Sequence, residues 1–155
     1  MIHVEFTNQQ TALPVDEHRL ARAARLILAD HGPETAELSV AVVDNPTIHE
    51  LNRRFLRHDY PTDVLSFVLE EQTGRLEGEV IVSAEMAAAE APTHDMRPED
   101  ELLLYLIHGV LHLVGFDDNR PDQCQQMRAA QRHYLGEFAV ADRCRDPDKG
   151  GGVST

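Results

Sequence analysis

The feature that most constrains this chain is residues 106–118, LIHGVLHLVGFDD, an apolar helical run holding two histidines that an ordinary core has little reason to keep. His108 and His112 are four apart. On an α-helix residues i and i+4 lie on one face a turn apart, the spacing that lets two imidazoles meet one metal ion. Nine aliphatic residues between positions 102 and 114 require the helix to be mostly buried. Buried polar rings need partners. Gly115 ends the helix as the residue best able to take a left-handed conformation, and Phe116, Asp117 and Asp118 follow in the turn. The chain therefore doubles back and brings a carboxylate to the rings from outside the helix.

The complete pattern is H-x-x-x-H-x-x-G-x-x-D, over His108, His112, Gly115 and Asp118. It matches a zincin-type ligand frame with the third histidine replaced by Asp118 and the glutamate after the first histidine replaced by Gly109. Without that glutamate there is no general base where a zincin peptidase keeps the group that takes a proton from water, so peptide hydrolysis by that route is disfavoured. Asp118 can ligate zinc as a histidine does. A lone histidine on an apolar helix is ordinarily a satisfied core residue, and a pair four apart can arise by chance. The glycine and the acid that follow at fixed spacing put the metal reading ahead. Asp117 reads as a turn residue, and spacing selects Asp118 as the ligand.

The rest of the chain frames this helix. Alternation at 2–6, an apolar run at 38–43 and β-rich stretches at 64–69 and 80–83 read as strands, the last two joined by a hairpin turn around Gly74. Helices are expected over 14–31, from the Asp44 cap to Phe55, over 84–91, from Pro98 through the histidines, and over 121–138. Gly78 suggests a bulge or a close backbone approach. The acids after Pro98 suit the positive end of a helix, and His94 and His133 read as surface or core residues. The fold class expected is α+β, a small mixed β-sheet of about four strands packed with about five helices and a zincin-like metal helix. One domain spans residues 1–141, and the polar, glycine-rich stretch 142–155 is expected to be a disordered tail.

No apolar run approaches the ~20 residues needed to cross a bilayer, and the N-terminus lacks the pattern of a signal peptide, so a cytoplasmic protein is expected. Cys124 and Cys144 form no disulfide framework and no metal pair. A formal charge of −13 argues against strong non-specific affinity for nucleic acid but leaves room for a local site. The one basic concentration is Arg53, Arg54, Arg57 and His58. By themselves these read equally well as a solvated helix end whose cations offset the dipole.

HGVLHLVGFDD resembles the HGxLHLxGxDH signature of the YbeY family of endoribonucleases. PTDVLSF at 61–67, Leu51-Asn52 and GEVIVS at 78–83 resemble the family's other segments in the same order, and the resemblance covers roughly residues 2–140. It implies an α+β fold, one Zn²⁺ per chain held by His108, His112 and Asp118, and metal-dependent cleavage of single-stranded RNA. It further implies a role in ribosomal RNA processing, chiefly 16S rRNA 3′-end maturation, and in ribosome quality control. The implied partners are ribosomal RNA and the ribosome or its proteins. Asp118 stands where the family has histidine. The family's functional arginine falls at Leu56, and its catalytic role is carried to the adjacent Arg57, with Arg53 and Arg54 as substrate-binding cations. Two rivals stay open at this stage: a zincin-type metallopeptidase, against which Gly109 speaks, and a non-catalytic ribosome-assembly factor with a structural metal.

Overall fold

The computed structural model describes residues 1–141, and the tail expected from 142 onward lies outside the described residues. Strand β1 (Ile2–Asn8) runs parallel to β2 (Thr35–Val43), and helix α1 (Glu17–His31) makes the crossover that a parallel pair requires. Asp16 caps α1 by accepting from the Arg19 N–H, so the helix begins at Glu17 and not at Pro14 as the sequence suggests. Asp44 caps α2 (Asn45–Leu56) in the same way through the Thr47 N–H. The hairpin β3 (Val64–Gln72) and β4 (Arg75–Ser83) turns at Gly74, whose φ of 80° suits glycine. β4 pairs parallel to β2, which gives a four-stranded mixed sheet in the order β1-β2-β4-β3. Helices α3 (Ala84–Glu90), α4 (Pro98–Leu113) and α5 (Pro121–Gly136) complete an α+β fold which, among the described residues, sets five α-helices on four strands, as expected.

Strands β3 and β4 both outrun the apolar stretches that mark them in the sequence. Glu70, Glu71 and Gln72 pair with Glu77, Leu76 and Arg75 across the hairpin, because ladder hydrogen bonds continue where hydrophobic alternation stops. The bulge anticipated at Gly78 falls instead on the partner strand, between Val68 and Glu70. Gly78 is the close approach: a Cβ there would lie 2.9 Å from a methyl of Leu113 on α4.

The two faces of the sheet are covered unequally. Val40, Val42, Val80, Val82 and Val64 belong to the large core shared with α1, α4 and α5, whereas Val43, Leu65 and Ile81 form a small second core with Ile48 of α2. Such alternation follows from the period of two along each strand. Helix α4 lies at the centre of the large core with twelve buried residues among its sixteen. It rests on the sheet at Gly109, where an added Cβ would come within 2.8 Å of Val64 Cγ2 and Val80 Cγ1, and Ser66 Oγ donates to the Gly109 carbonyl at 2.9 Å.

The start of α4 is as the sequence reads it, with Pro98 and three acids in the first turn, and the acids have side-chain partners besides. Glu101 is fully buried, and both its oxygens meet His94 Nδ1, at 3.0 and 2.9 Å, while Asp100 accepts from Arg19 of α1 at 2.7 Å. Asp100 thus faces the Arg19 guanidinium, and Glu101 the His94 ring, as well as the helix dipole. His94 is thereby the hydrogen-bond partner of buried Glu101. Burial and the Glu101 carboxylate push the Tyr105 phenol far above its usual range. Among the described residues no helix is long and apolar enough to cross a membrane.

Substituting Gly109→Ala places a methyl where the sheet already is. Overpacking of about 1–3 kcal/mol outweighs the ~1 kcal/mol that alanine adds to a helix interior. Thermal or urea unfolding is expected to show a lower midpoint than wild type, and an equal or higher midpoint contradicts this packing.

Candidate metal centre and adjoining cleft

Helix α4 presents His108 and His112 from its last turns, and their Nε2 atoms lie 3.1 Å apart. Asp118 Oδ2 sits 3.8 Å from His108 Nε2 and 3.9 Å from His112 Nε2. The three donor atoms lie within 4.8 Å of one another, the one such group of histidine, cysteine and acid side chains among the described residues. Two donors about 2.0 Å from a tetrahedral zinc are about 3.3 Å apart, so the trio fits around one ion with a small inward movement of the carboxylate.

Each donor is aimed by something else. Gln131 of α5 accepts from His108 Nδ1 through Oε1 at 2.6 Å. An amide oxygen only accepts, so Nδ1 carries the proton and Nε2 turns its lone pair to the centre. Gln131 is 1% exposed, and its Nε2 has no hydrogen-bond partner, so the side chain is held in the core for its oxygen. Asp118 is set by the turn. Gly115 has φ 105°, the Phe116 N–H returns to Leu111 O at 3.0 Å, and Asp117 Oδ1 accepts the Asp118 N–H at 2.8 Å. Asn119 donates to the other Asp117 oxygen at 2.8 Å, and the Cys124 thiol donates to Asp118 O at 3.1 Å. Asp117 is thus the turn residue and Asp118 the one brought to the rings, as spacing predicts.

The site is closed behind and open in front. The side chain of His108 is 3% exposed, whereas those of His112 and Asp118 are each 23% exposed. From His112 a cleft of about 340 Å³ runs between the end of α4, the start of β3 and the segment after α2, with Leu113, Ser66, Thr62, Tyr60, His58 and Asn52 among its walls. Asn52 is buried and organises the last of these: its Nδ2 donates to Tyr60 O at 2.9 Å, and its own carbonyl accepts the His58 N–H at 3.2 Å.

The cations are dispersed. Arg53 is held by Glu50 at 2.6 Å, and that pairing raises its pKa further and lowers that of Glu50. Arg54 and Arg57 are exposed. Arg57 caps α2 with φ 59° and is not among the residues lining the cleft, whereas its neighbours Leu56 and His58 are. Sequence reasoning passed over Gln131, and it read His58 only as one of a basic cluster and Tyr60 only as part of a turn. Gln131 sits on another helix with no motif, and the two rings gain meaning only once the segment after α2 folds over the cleft.

Gly109 acquires a second significance. It faces the sheet, and the contacts its Cβ would make leave no room for the glutamate of a zincin peptidase at this position. Helix, turn and open cleft define the class: an α+β enzyme built around a metal-type centre that a substrate can reach.

The family model described as Endoribonuclease YbeY matches residues 5–139. An endoribonuclease YbeY of Syntrophotalea carbinolica is 41% identical over 146 residues, covering 89% of this chain and 95% of its own. Another, of Rhodopirellula baltica, is 45% identical over 114 residues, which cover 72% of this chain but 59% of that longer relative. The solution structure of TM1509 from Thermotoga maritima superposes with a TM-score of 0.55 at 26% identity, over 97% of this chain and 99% of that one. The chain belongs to the endoribonuclease YbeY family. That membership assigns the enzyme class, a hydrolase acting on RNA.

Removing the partner of His108 is expected to loosen the site without emptying it. Gln131→Ala should weaken metal affinity by about 10–100-fold, whereas Asp118→Ala should weaken it more and Asp118→His should retain it. Competition with a chromogenic chelator measures all three, and wild-type affinity in Asp118→Ala rules that residue out as a ligand.

Proposed function

We propose that this chain is a zinc-dependent endoribonuclease that cuts single-stranded RNA, acting in 16S rRNA 3′-end maturation and ribosome quality control. The observation that carries the reading is the convergence of His108, His112 and Asp118 within 4.8 Å, in a member of this family, at the end of an open cleft. Two imidazoles and a carboxylate are a donor set that suits zinc. When bound, the ion supplies Lewis-acid polarisation of a phosphodiester oxygen.

The chain's own residues do the rest. His108, oriented by Gln131, and the more exposed His112 and Asp118 hold the centre open to the cleft. Arg57, exposed between the cleft-lining Leu56 and His58, would swing its guanidinium into the cleft to meet the scissile phosphate, and Arg53, once released from Glu50, and Arg54 would meet flanking phosphates. Residues 1–141 form the domain that carries the activity. A protein of formal charge −13 attracts RNA weakly by itself, which favours delivery of the substrate by the ribosome or a ribosomal protein in the cytoplasm.

Chelation and His108→Ala are each expected to abolish cleavage of single-stranded RNA, with zinc restoring the chelated wild type but not the variant. Full cleavage by metal-free His108→Ala protein overturns this function.

A further inference from the structure

The segment after α2 holds an arrangement that the metal centre does not account for. His58 and Tyr60 stack in an offset parallel arrangement, with centroids 5.4 Å apart and planes 9° from parallel. Both rings line the cleft that reaches His112, and Tyr60 remains 51% exposed although His58 covers one of its faces. A large aromatic ring backed on one side and open on the other is a platform for a second flat ring.

The platform is held in place before any ligand arrives. The Asn52 side chain and carbonyl fix Tyr60 O and the His58 N–H, and Asp59, the residue between the rings, is turned aside to His49 Nε2 at 2.8 Å. A backbone held in this way, with the two rings already stacked on each other, loses little freedom on binding. The same cleft is also lined by apolar Val64, Val68 and Leu113, and the end of α2 and its cap carry Arg53, Arg54 and Arg57. Apolar lining, an exposed ring, nearby cations and a metal-type centre in one cleft match a nucleotide, its base on Tyr60 and its phosphate toward His112.

We propose that Tyr60, backed by His58, is a base-stacking subsite for an unpaired nucleotide next to the scissile phosphate, and that it selects single strands. The proposal rests on the ribonuclease reading above. In a duplex both faces of a base are covered by its stacked neighbours, so Tyr60 can engage only a base that is free of them.

The test uses the full chain and a short fluorescently labelled single-stranded oligoribonucleotide, with and without one abasic position. Tyr60→Ala is expected to weaken binding, or raise KM for cleavage, by about 5- to 150-fold, and Tyr60→Phe to retain both. An abasic position next to the cut should cost wild type a similar factor and cost Tyr60→Ala almost nothing. Because Tyr105 and Tyr134 are buried and the chain has no tryptophan, oligonucleotide should quench tyrosine fluorescence in wild type and not in Tyr60→Phe. Unchanged binding and KM in Tyr60→Ala overturn the subsite, and the ribonuclease function still stands if His108→Ala is inactive. Base-dependent binding lost in Tyr60→Ala, in a protein that cuts no RNA, supports the subsite and overturns the ribonuclease function. A wild type that neither binds nor cuts RNA overturns both.

Discussion

Everything at the centre depends on how closely α4 lies on the sheet. Glycine at position 109 lets the helix backbone meet Val64 and Val80, and Ser66 fastens the contact by donating to the Gly109 carbonyl. Gly78 does the same from the sheet side, accepting Leu113 against its backbone. With the helix fixed at both points its rotation is fixed too, which decides where His108 and His112 point. One absent Cβ therefore serves packing and chemistry together, since it also removes the place a peptidase keeps its base.

The donors are a local feature with distant supports. His108, His112 and Asp118 lie within eleven residues, yet Gln131, Cys124 and the Phe116 ring against His31 of α1 all bear on their placement. The opposite end of α4 is tied down by Arg19 and His94 through Asp100 and Glu101. Glu101 is fully buried, so losing His94 would leave a polar side chain in the core without that hydrogen-bond partner. The evident effect of this contact is to hold the segment ahead of α4 in one position.

The parts of the molecule readable in the sequence were those governed by local periodicity. The two histidines, the glycine and Asp118 were legible because helix geometry and one turn relate them, and the helix and strand types followed from apolar periods of 3.6 and 2. Strand lengths were less legible, since Glu70, Glu71 and Gln72 pair through backbone and carry no apolar signal. Gln131 and Glu101 were illegible for another reason. A polar residue buried by tertiary packing looks the same in sequence as one on a solvated face, and only the fold sets His108 and His94 against them. The basic cluster was visible as composition, but which rings border the cleft depends on the left-handed residue at Arg57.

The dependence of His108 on Gln131 has a consequence for how the protein comes into being. Chain synthesis delivers the sheet, α4 and the turn at Asp118 before it delivers α5. Until α5 docks, the His108 ring lacks the acceptor that fixes its tautomer, so an emerging chain carries the three donors with one of them not yet oriented. The full affinity of the centre is therefore reached late in the life of the polypeptide, when the last described helix has closed on the core.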